Sequence, residues 1–299
     1  NTDSIFVLLP GVNTPEKCLI GNEVAAFINR YVTEELNMST MEIEFEKAYE
    51  CFMLLAKKRY YGIMWVPTDD GCMKRKGIDM KGIETQRNDI IPFVKDMLQR
   101  AIQTLVGTSD PVRAFGVVKV ELERLLKNEV AFEHFVVRKK LSAKVVDKVT
   151  TIPQARVNQL RRERNPGSEE VIGNQVAYVM VDAPPETPIA MLAEDAEYAE
   201  ANELRLNRLY YLKHCIRDAV IRIFEPLDKM LSMSHEFRRV EAVLEAQRTG
   251  CNDGVSDIHA QMEASSALED AVVVRKRYVP RPIEGSVRGK GKKARAPRS

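Results

Sequence analysis

A chain of 299 residues, of which 44% are hydrophobic and 29% charged, has the length and composition of a globular protein with one large core or two modest ones. These values exclude a chain that is disordered throughout, and no apolar run is long enough to cross a bilayer. The first residues lack the features of a signal peptide, and without an initiator Met we expect Asn1 to be a cut end. The five cysteines form no C-x-x-C pair, so neither a zinc ribbon nor a disulfide framework is predicted.

Positive charge is concentrated at the end of the chain. From Arg275 onward the chain has ten Lys or Arg residues and one acidic residue, a net charge of +9. Because the whole chain has a net charge of +2, the residues before Arg275 have a net charge of −7. A basic extension on an acidic body is typical of an anionic partner or a nuclear address. A disordered, solubilising tail explains the same composition, because the Pro, Gly and basic residues after Val279 predict no packed core.

The first part of the chain has the pattern of a sheet with one packed helix. Residues 5–9 are apolar and β-prone and end at a Pro-Gly pair, which predicts a buried strand and a turn. A helix is predicted from Thr14. Its apolar stripe consists of Ile20, Val24, Phe27, Ile28 and Tyr31. Residues 41–46 alternate between apolar and acidic side chains, and residues 51–65 are also strand-like.

After Pro92 the hydrophobic period becomes helical. One amphipathic helix is predicted there and another after Asp110-Pro111. Their apolar positions are Val94, Leu98, Ala101, Ile102 and Leu105 in the first, and Leu122, Leu125 and Leu126 in the second. Residues 176–181 form a strand-like insert, and a later helix ends at Pro226. That helix carries Leu209, Leu212, Ile216, Ala219, Val220 and Ile223.

These patterns divide the chain into three parts. We predict a sheet with its helix over residues 1–86, a mostly helical domain over residues 87–235, and an extension over residues 236–299 that ends in a disordered basic tail. Order is expected to weaken beyond about His235. The predicted fold class is therefore α+β.

The tetrapeptide Lys57-Lys58-Arg59-Tyr60 joins cations to an aromatic ring. On a strand, Lys58 and Tyr60 would point to one face and Lys57 and Arg59 to the other. Cations neutralise phosphate and a phenol hydroxyl donates to it, which suits the backbone of a DNA duplex. A strand edge protected by lysines is the simpler explanation of the tetrapeptide alone.

The segment Lys81-Gly82-Ile83-Glu84-Thr85, followed by Arg87, stands where the sheet gives way to helices. Gly82 permits a close approach of backbone, which favours a hinge. A capped helix start explains the segment equally well. At the beginning of the chain, the carboxylate of Asp3 before an apolar run either projects into a cleft or caps a strand.

Together these segments resemble the C-terminal half of the family-B DNA polymerases, of which the eukaryotic delta enzymes and those of large DNA viruses are the most similar that we identify. The resemblance covers residues 1–227, about three quarters of the chain. In chain order the matching segments are N-T-D-S-I-F, I-E-F-E-K, L-L-A-K-K-R-Y-Y-G, K-G-I-E-T-Q-R-N-D, R-N-P-G-S with G-N-Q-V-A-Y-V, A-E-D-A-E-Y, and Y-Y-L-K-H with R-I-F-E-P-L.

The resemblance implies a magnesium site at Asp3. The first segment matches the family's Y-x-D-T-D-S palm motif, whose second Asp binds two catalytic Mg²⁺ ions together with an Asp from an earlier motif. Asp3 matches that ligand, and carboxylate suits a hard ion such as magnesium. Asn1 stands where the family usually has the first Asp, which places a neutral amide there and puts catalysis in question.

The resemblance also implies contacts to primer-template DNA. Lys58 and Tyr60 match the family's K-x-Y motif, with Lys57 and Arg59 as accessory phosphate contacts. Lys81, Gly82, Glu84 and Arg87 match the passage from palm to thumb, where Asn88 replaces an Arg common in cellular members. Before Pro166-Gly167, a basic segment of the thumb is matched by Arg161, Arg162 and Arg164, for which a solvated helix face is the competing explanation.

The end of the chain distinguishes it from the cellular delta enzymes, which finish in paired cysteine modules. The Gly, Lys and Arg tail predicts a viral protein that works in the host nucleus. Residues 288–298 would then be a nuclear signal or a docking segment for a processivity factor.

The resemblance predicts synthesis of DNA from deoxynucleoside triphosphates, with this chain supplying part of the palm, residues 1–86, and the thumb, residues 87–235. The chain lacks the other metal-binding Asp and the fingers, so alone it should not polymerise. The alternative is a non-catalytic, duplex-binding subunit derived from such a polymerase, for which Asn1 is the main argument.

Overall fold

The computed structural model describes residues 4–38, 40–69, 71–167, 172–227 and 231–249. Asp3 and the basic tail, to which the sequence assigns a metal site and a docking or nuclear-signal role, lie outside these residues. Within the described ranges the chain combines two small antiparallel sheets with many helices, and the predicted α+β class is confirmed.

The first sheet is preceded by a long helix. The elements are α1 (Thr14–Glu34), β1 (Ala48–Ala56), β2 (Arg59–Pro67) and β3 (Met73–Lys81). The strands are antiparallel in the order β1-β2-β3, so that β2 is central. Helix α1 begins after Asn13, whose side-chain oxygen accepts a hydrogen bond from the Glu16 amide at 2.9 Å, as an N-cap residue does.

Helix α1 faces the first sheet with small side chains. Cys18 and Ala25 are buried, and the ring of Phe45 lies so close to Gly21 that a Cβ there would come within 2.2 Å of it. The predicted apolar stripe is wrong in part, because Val24, Phe27 and Tyr31 are exposed. The buried face of α1 consists instead of Cys18, Ala25 and Val32.

The predicted strands at residues 5–9 and 41–46 are not formed. No other strand of the described chain pairs with residues 5–9, and an apolar run needs such a partner to become a strand. In the second segment, the side chain of Asn29 satisfies the backbone of Ile43. It accepts from the Ile43 amide at 2.8 Å and donates to the Ile43 carbonyl at 2.9 Å, so these groups are not available to a ladder.

The helical part follows the first sheet. Its elements are a 3₁₀ turn (Glu84–Gln86), α2 (Pro92–Thr108), α3 (Pro111–Leu126), α4 (Pro153–Arg164), α5 (Ala196–Ala201), α6 (Arg208–Tyr211), a π-helical segment (Leu212–Ile216), α7 (Arg217–Phe224) and α8 (Met233–Thr249). The apolar stripes predicted for α2 and α3 are buried. None of the helices in the described ranges is both long enough and apolar enough to span a membrane.

A second sheet lies within this helical part. It consists of β4 (Val137–Lys140), β5 (Gln175–Met180) and β6 (Ala193–Asp195), in that order and antiparallel. Strand β5 corresponds to the predicted insert, whereas β4 and β6 are too short to be recognised from their sequence. Helix α4 packs on β5 and β6.

Helix α8 continues well past His235 and packs on α3. Its inner face is fully buried and consists of Phe237, Val240, Val243 and Leu244. The expectation that order weakens beyond about His235 is therefore wrong for residues 236–249. The boundary predicted at residue 235 falls inside this helix, and the functional division of the chain stays a prediction.

Candidate nucleic-acid interface

The two lysines of the basic tetrapeptide form the tip of a hairpin. Lys57 and Lys58 make the turn between β1 and β2, and both are exposed. The expectation that the tetrapeptide lies on a strand is correct for Arg59 and Tyr60 and wrong for the lysines. Neither lysine has an ion-pair partner among the described residues, so both charges face solvent and are available to an anion.

Gly82 packs directly against the backbone of this turn. Its φ is +64°, and a Cβ on residue 82 would lie 2.4 Å from the carbonyl oxygen of Lys58. Lys58 itself has φ +63°, in the left-handed region that side chains other than glycine rarely adopt. The close backbone approach expected at Gly82 is therefore present, and its partner is the hairpin turn.

Tyr60 belongs to an aromatic cluster on one face of the first sheet. Its ring centroid lies 5.4 Å from that of Phe52 and 6.0 Å from that of Tyr49. Tyr49 donates a hydrogen bond to Asp79 at 2.6 Å. Burial, together with the hydrogen bond to Asp79, raises the pKa of Tyr49 well above its usual value. Tyr60 is thereby held in a packed cluster and is still partly exposed.

Arg59 is already engaged inside the protein. Its Nη2 atom donates to both carboxylate oxygens of Glu84, at 3.1 and 3.2 Å, and its Nε atom donates to the Gly82 carbonyl at 3.2 Å. Glu84 is buried and also accepts from Nε of Arg222 on α7 at 2.7 Å. The phosphate contact of Arg59 stays a prediction, and this guanidinium already has a protein carboxylate as its partner.

Two further predicted residues lie near the turn. Lys81 is paired in register with Tyr60, and its ammonium group lies 3.7 Å from Asp79. Arg87 forms a two-pronged pair with Asp89, at 3.0 and 2.7 Å, on the surface. The hydrogen bonds from Arg87 hold the pKa of Asp89 below its usual value. Both cations remain more than half exposed, so either could also approach a phosphate.

The arginines of α4 lie against the second sheet. Arg161 donates to Asp195, and Arg164 forms two bonds of 2.8 Å with Glu194. The guanidinium of Arg164 also stacks 3.4 Å from the ring centre of Tyr198. Glu194 and Asp195 are buried carboxylates that need such partners. Arg162 is exposed on the same helix.

The structure thus brings together the residues around the hairpin turn, namely Lys57, Lys58, Arg59, Tyr60, Lys81 and Gly82. Arg161 and Arg164 do not belong to this group. They form ion pairs between α4 and β6, with Asp195 and Glu194 as their partners. Sequence reasoning missed Arg222, which is 138 positions from Glu84. No local pattern signals such a contact.

The described residues contain no group of three or more His, Cys, Asp or Glu side chains that could hold a metal ion. Asp3, the predicted magnesium ligand, lies outside them.

Comparisons with known proteins agree with the resemblance. The family model for DNA polymerase family B matches residues 1–227. The chain is 31% identical over 237 residues to the DNA polymerase delta catalytic subunit of Schizosaccharomyces pombe, an alignment that covers 79% of this chain and 21% of that protein. It is 31% identical over 228 residues to the delta catalytic subunit of Drosophila melanogaster, covering 76% of this chain and 20% of that one.

A related subunit and a solved structure also match. The DNA polymerase zeta catalytic subunit of Homo sapiens is 29% identical over 252 residues, covering 83% of this chain and 8% of that protein. The family B DNA polymerase of the archaeon Pyrobaculum calidifontis superposes with a TM-score of 0.49 and 23% identity, covering 68% of this chain and 24% of that chain. The chain therefore spans about a fifth of the length of the delta subunits.

Proposed function

Because the chain belongs to the family-B DNA polymerases, we propose that it is part of a DNA-directed DNA polymerase and holds the primer-template duplex with the hairpin turn of its first sheet. In this assignment residues 1–86 are the end of the palm and residues 87–235 are the thumb. The substrates of the complete enzyme are primer-template DNA and deoxynucleoside triphosphates.

One observation carries the proposal most directly. Lys57 and Lys58 are exposed, have no carboxylate partner among the described residues, and stand on a turn that is braced by Gly82 and Arg59. Because the backbone of this turn is held in place, less conformational entropy is lost when its unpaired lysines bind phosphate than when lysines on a flexible loop do so. Tyr60, fixed in its aromatic cluster, follows in the same segment and can donate its hydroxyl to the DNA.

The same geometry narrows the set of phosphate contacts. Among the cations predicted to bind DNA, we assign direct contact to Lys57 and Lys58, with Lys81 and Arg87 at the edge of the surface. Arg59 is assigned to support the turn, because Glu84 occupies its guanidinium. Contacts from Arg161, Arg162 and Arg164 would require ion pairs on α4 to open or to be shared.

The chemistry of the complete enzyme follows from the resemblance of the first four residues. Asp3 would hold magnesium with a second Asp from elsewhere in the polymerase. The two ions would activate the primer hydroxyl and stabilise charge on the transferred phosphate. The composition of the basic tail adds three parts to the proposal. The protein comes from a virus, it works in the host nucleus, and its tail binds a processivity factor.

Measurements of DNA binding test whether the hairpin turn contacts the duplex. We expect Lys58→Ala to weaken binding of primer-template DNA, measured by fluorescence anisotropy, while Lys127→Ala leaves it unchanged. Lys127 is an exposed lysine at the end of α3, outside the predicted DNA-binding segments. Equal binding by all three proteins would contradict the assignment of the turn.

A non-catalytic duplex-binding subunit is the second candidate, and Asn1 favours it. Primer extension by the complete protein separates the two. If the protein is an enzyme, wild type extends the primer and Asp3→Asn does not, because a neutral amide is a poor ligand for magnesium. If wild type binds duplex DNA and extends no primer, the binding subunit is correct.

A further inference from the structure

Glu84 connects two parts of the chain that are far apart in sequence. On one side it accepts two hydrogen bonds from Arg59, which begins β2 directly after the hairpin turn. On the other side it accepts from Arg222 of α7 at 2.7 Å. Only 3% of Glu84 is exposed, so its carboxylate depends on these two guanidinium groups.

The two arginines are not equivalent in their surroundings. Arg222 precedes Ile223 and Phe224, which are both fully buried, so its backbone is anchored in the helical core. Arg59 is the first residue of β2, the central strand of the first sheet, and also donates to the carbonyl of Gly82. Helix α7 therefore presents a fixed cation, and Glu84 transmits its position to the start of β2.

Gly82 completes the connection to the turn. The backbone of Gly82 lies against the Lys58 carbonyl, in space that no side chain could share. Segment 82–84 thus touches the turn through Gly82 and touches α7 through Glu84. A shift of this segment relative to α7 would move Lys57 and Lys58, although neither lysine contacts Arg222.

We propose that Glu84 and Arg222 are positioning residues that hold the hairpin turn of the first sheet at a fixed place relative to the helical core. Neither residue needs to touch DNA. Their effect on DNA binding, as distinct from their effect on the turn, rests on the proposed function.

A buried carboxylate between two arginines is well suited to this role. When Arg222 is removed, Glu84 keeps only the partner on the sheet and loses the one on the helix. Removing one member of a buried ion group leaves the others without full compensation, so the local arrangement must change. A single solvent-exposed ion pair would instead break at little cost in free energy, so it would not hold the turn in a fixed position.

Double-mutant analysis of DNA binding tests the proposal. Arg222→Gln is compared with Arg217→Gln, which removes the same charge from the same helix. The two side chains are 42% and 41% exposed, and Arg217 pairs with Asp218 and Glu241 instead of Glu84. We expect Arg222→Gln to weaken binding of primer-template DNA by at least about threefold more than Arg217→Gln does.

The cycle with Lys58→Ala shows whether Arg222 acts through the turn. In that background we expect Arg222→Gln to have clearly less effect than in wild type, since the grip that it positions is already lost. Where Lys58→Ala itself weakens binding, an equal effect in both backgrounds, or no difference between Arg222→Gln and Arg217→Gln, would overturn the proposal.

Rescue by a conservative variant distinguishes positioning from loss of charge. Arg222 uses only its Nε atom toward Glu84, and a lysine ammonium group can reach a similar place. Arg222→Lys should therefore restore most of the binding, whereas Arg222→Gln should not. If the lysine variant bound DNA as weakly as the glutamine variant, Arg222 would not act through its single hydrogen bond to Glu84.

Hydrogen exchange separates this proposal from the proposed function, because it needs no DNA. In the complete chain, amides of residues 57–62 should exchange faster in Arg222→Gln and Glu84→Gln than in Arg217→Gln. Unchanged exchange would overturn the positioning role. Faster exchange combined with DNA binding that is insensitive to Lys58→Ala would support the positioning role and contradict the DNA grip instead.

Discussion

The carbonyl oxygen of Lys58 lies against Gly82, at a place where a Cβ on residue 82 would come within 2.4 Å of it. Contacts this short do not occur between a real Cβ and a backbone oxygen, so an alanine at this position forces the turn or the strand end to move. The left-handed φ of +64° at Gly82 adds strain for any side chain.

Gly82→Ala should therefore destabilise the protein and weaken its grip on DNA. We expect a loss of about 1–3 kcal/mol in the free energy of unfolding, because the backbone must leave its position. Urea denaturation measures this loss. The control is Gly107→Ala in α2, where nothing lies within 4 Å and alanine should stabilise the helix by about 0.5–1 kcal/mol. Equal stabilities for the two variants would show that the contact with Lys58 is unimportant.

Arg164→Lys should destabilise the second sheet. The guanidinium of Arg164 makes two parallel bonds to Glu194 and stacks on Tyr198, and a lysine can reproduce neither arrangement. We expect a loss of about 1–2 kcal/mol in thermal or urea unfolding. Arg138→Lys is the comparison, since Arg138 is an exposed residue of β4 with no ion-pair partner in the described chain. A similar stability for the two lysine variants would argue that Arg164 is a solvated side chain.

Helices α2 and α3 were well predicted from sequence, and the first sheet only in part, since the strand-like residues 51–65 fall in β1 and β2. In α2 and α3 the stripes repeat over several turns, and Asp110 caps α3 with bonds to the amides of Val112 and Arg113. Such signals are local, so one chain segment contains them. Strand β3 was missed because Lys74, Arg75, Lys76 and Gly77 interrupt its apolar alternation, and it forms only by pairing with β2.

Phe237→Ala should cost stability although it lies beyond the boundary predicted at residue 235. Phe237 is 2% exposed on the face of α8 that packs on α3. Deleting a buried aromatic ring leaves a cavity and costs about 3 kcal/mol or more. Arg238→Ala, on the exposed side of the same helix, should change the free energy of unfolding by less than about 0.5 kcal/mol. If both variants were equally stable, α8 would not be part of the folded unit.

Thiol labelling at pH 8 should separate exposed from buried cysteines. Cys51 and Cys72 are exposed and should react with iodoacetamide in the folded protein. Cys18 is buried and Cys215 is partly buried, and desolvation raises the pKa of the Cys215 thiol to about 12, so that very little of it is the reactive thiolate at this pH. Peptide mass spectrometry reads each site. Rapid labelling of Cys215 before unfolding would contradict the packing around α6 and α7.

The candidate interface was predictable only in its residue types. The order of motifs identified the family, and the match of residues 1–227 to the family model confirms that resemblance. The partners of the cations could not be read from sequence. Arg59 and Lys58 are adjacent in the chain, and one is held by a buried carboxylate whereas the other is free among the described residues. Only the fold, which brings Glu84 and Arg222 to Arg59, separates the two.

The salt dependence of DNA binding tests the central claim most directly. Each phosphate neutralised by a lysine contributes about −0.9 to the slope of log K against log salt concentration. The double variant Lys57→Ala/Lys58→Ala should show a slope less steep than that of wild type by about 2, because two contacts are lost. The control pair Lys127→Ala/Lys144→Ala, which removes two exposed lysines elsewhere, should keep the wild-type slope. A slope that is the same in wild type and in the Lys57/Lys58 variant would show that the hairpin turn does not hold the DNA.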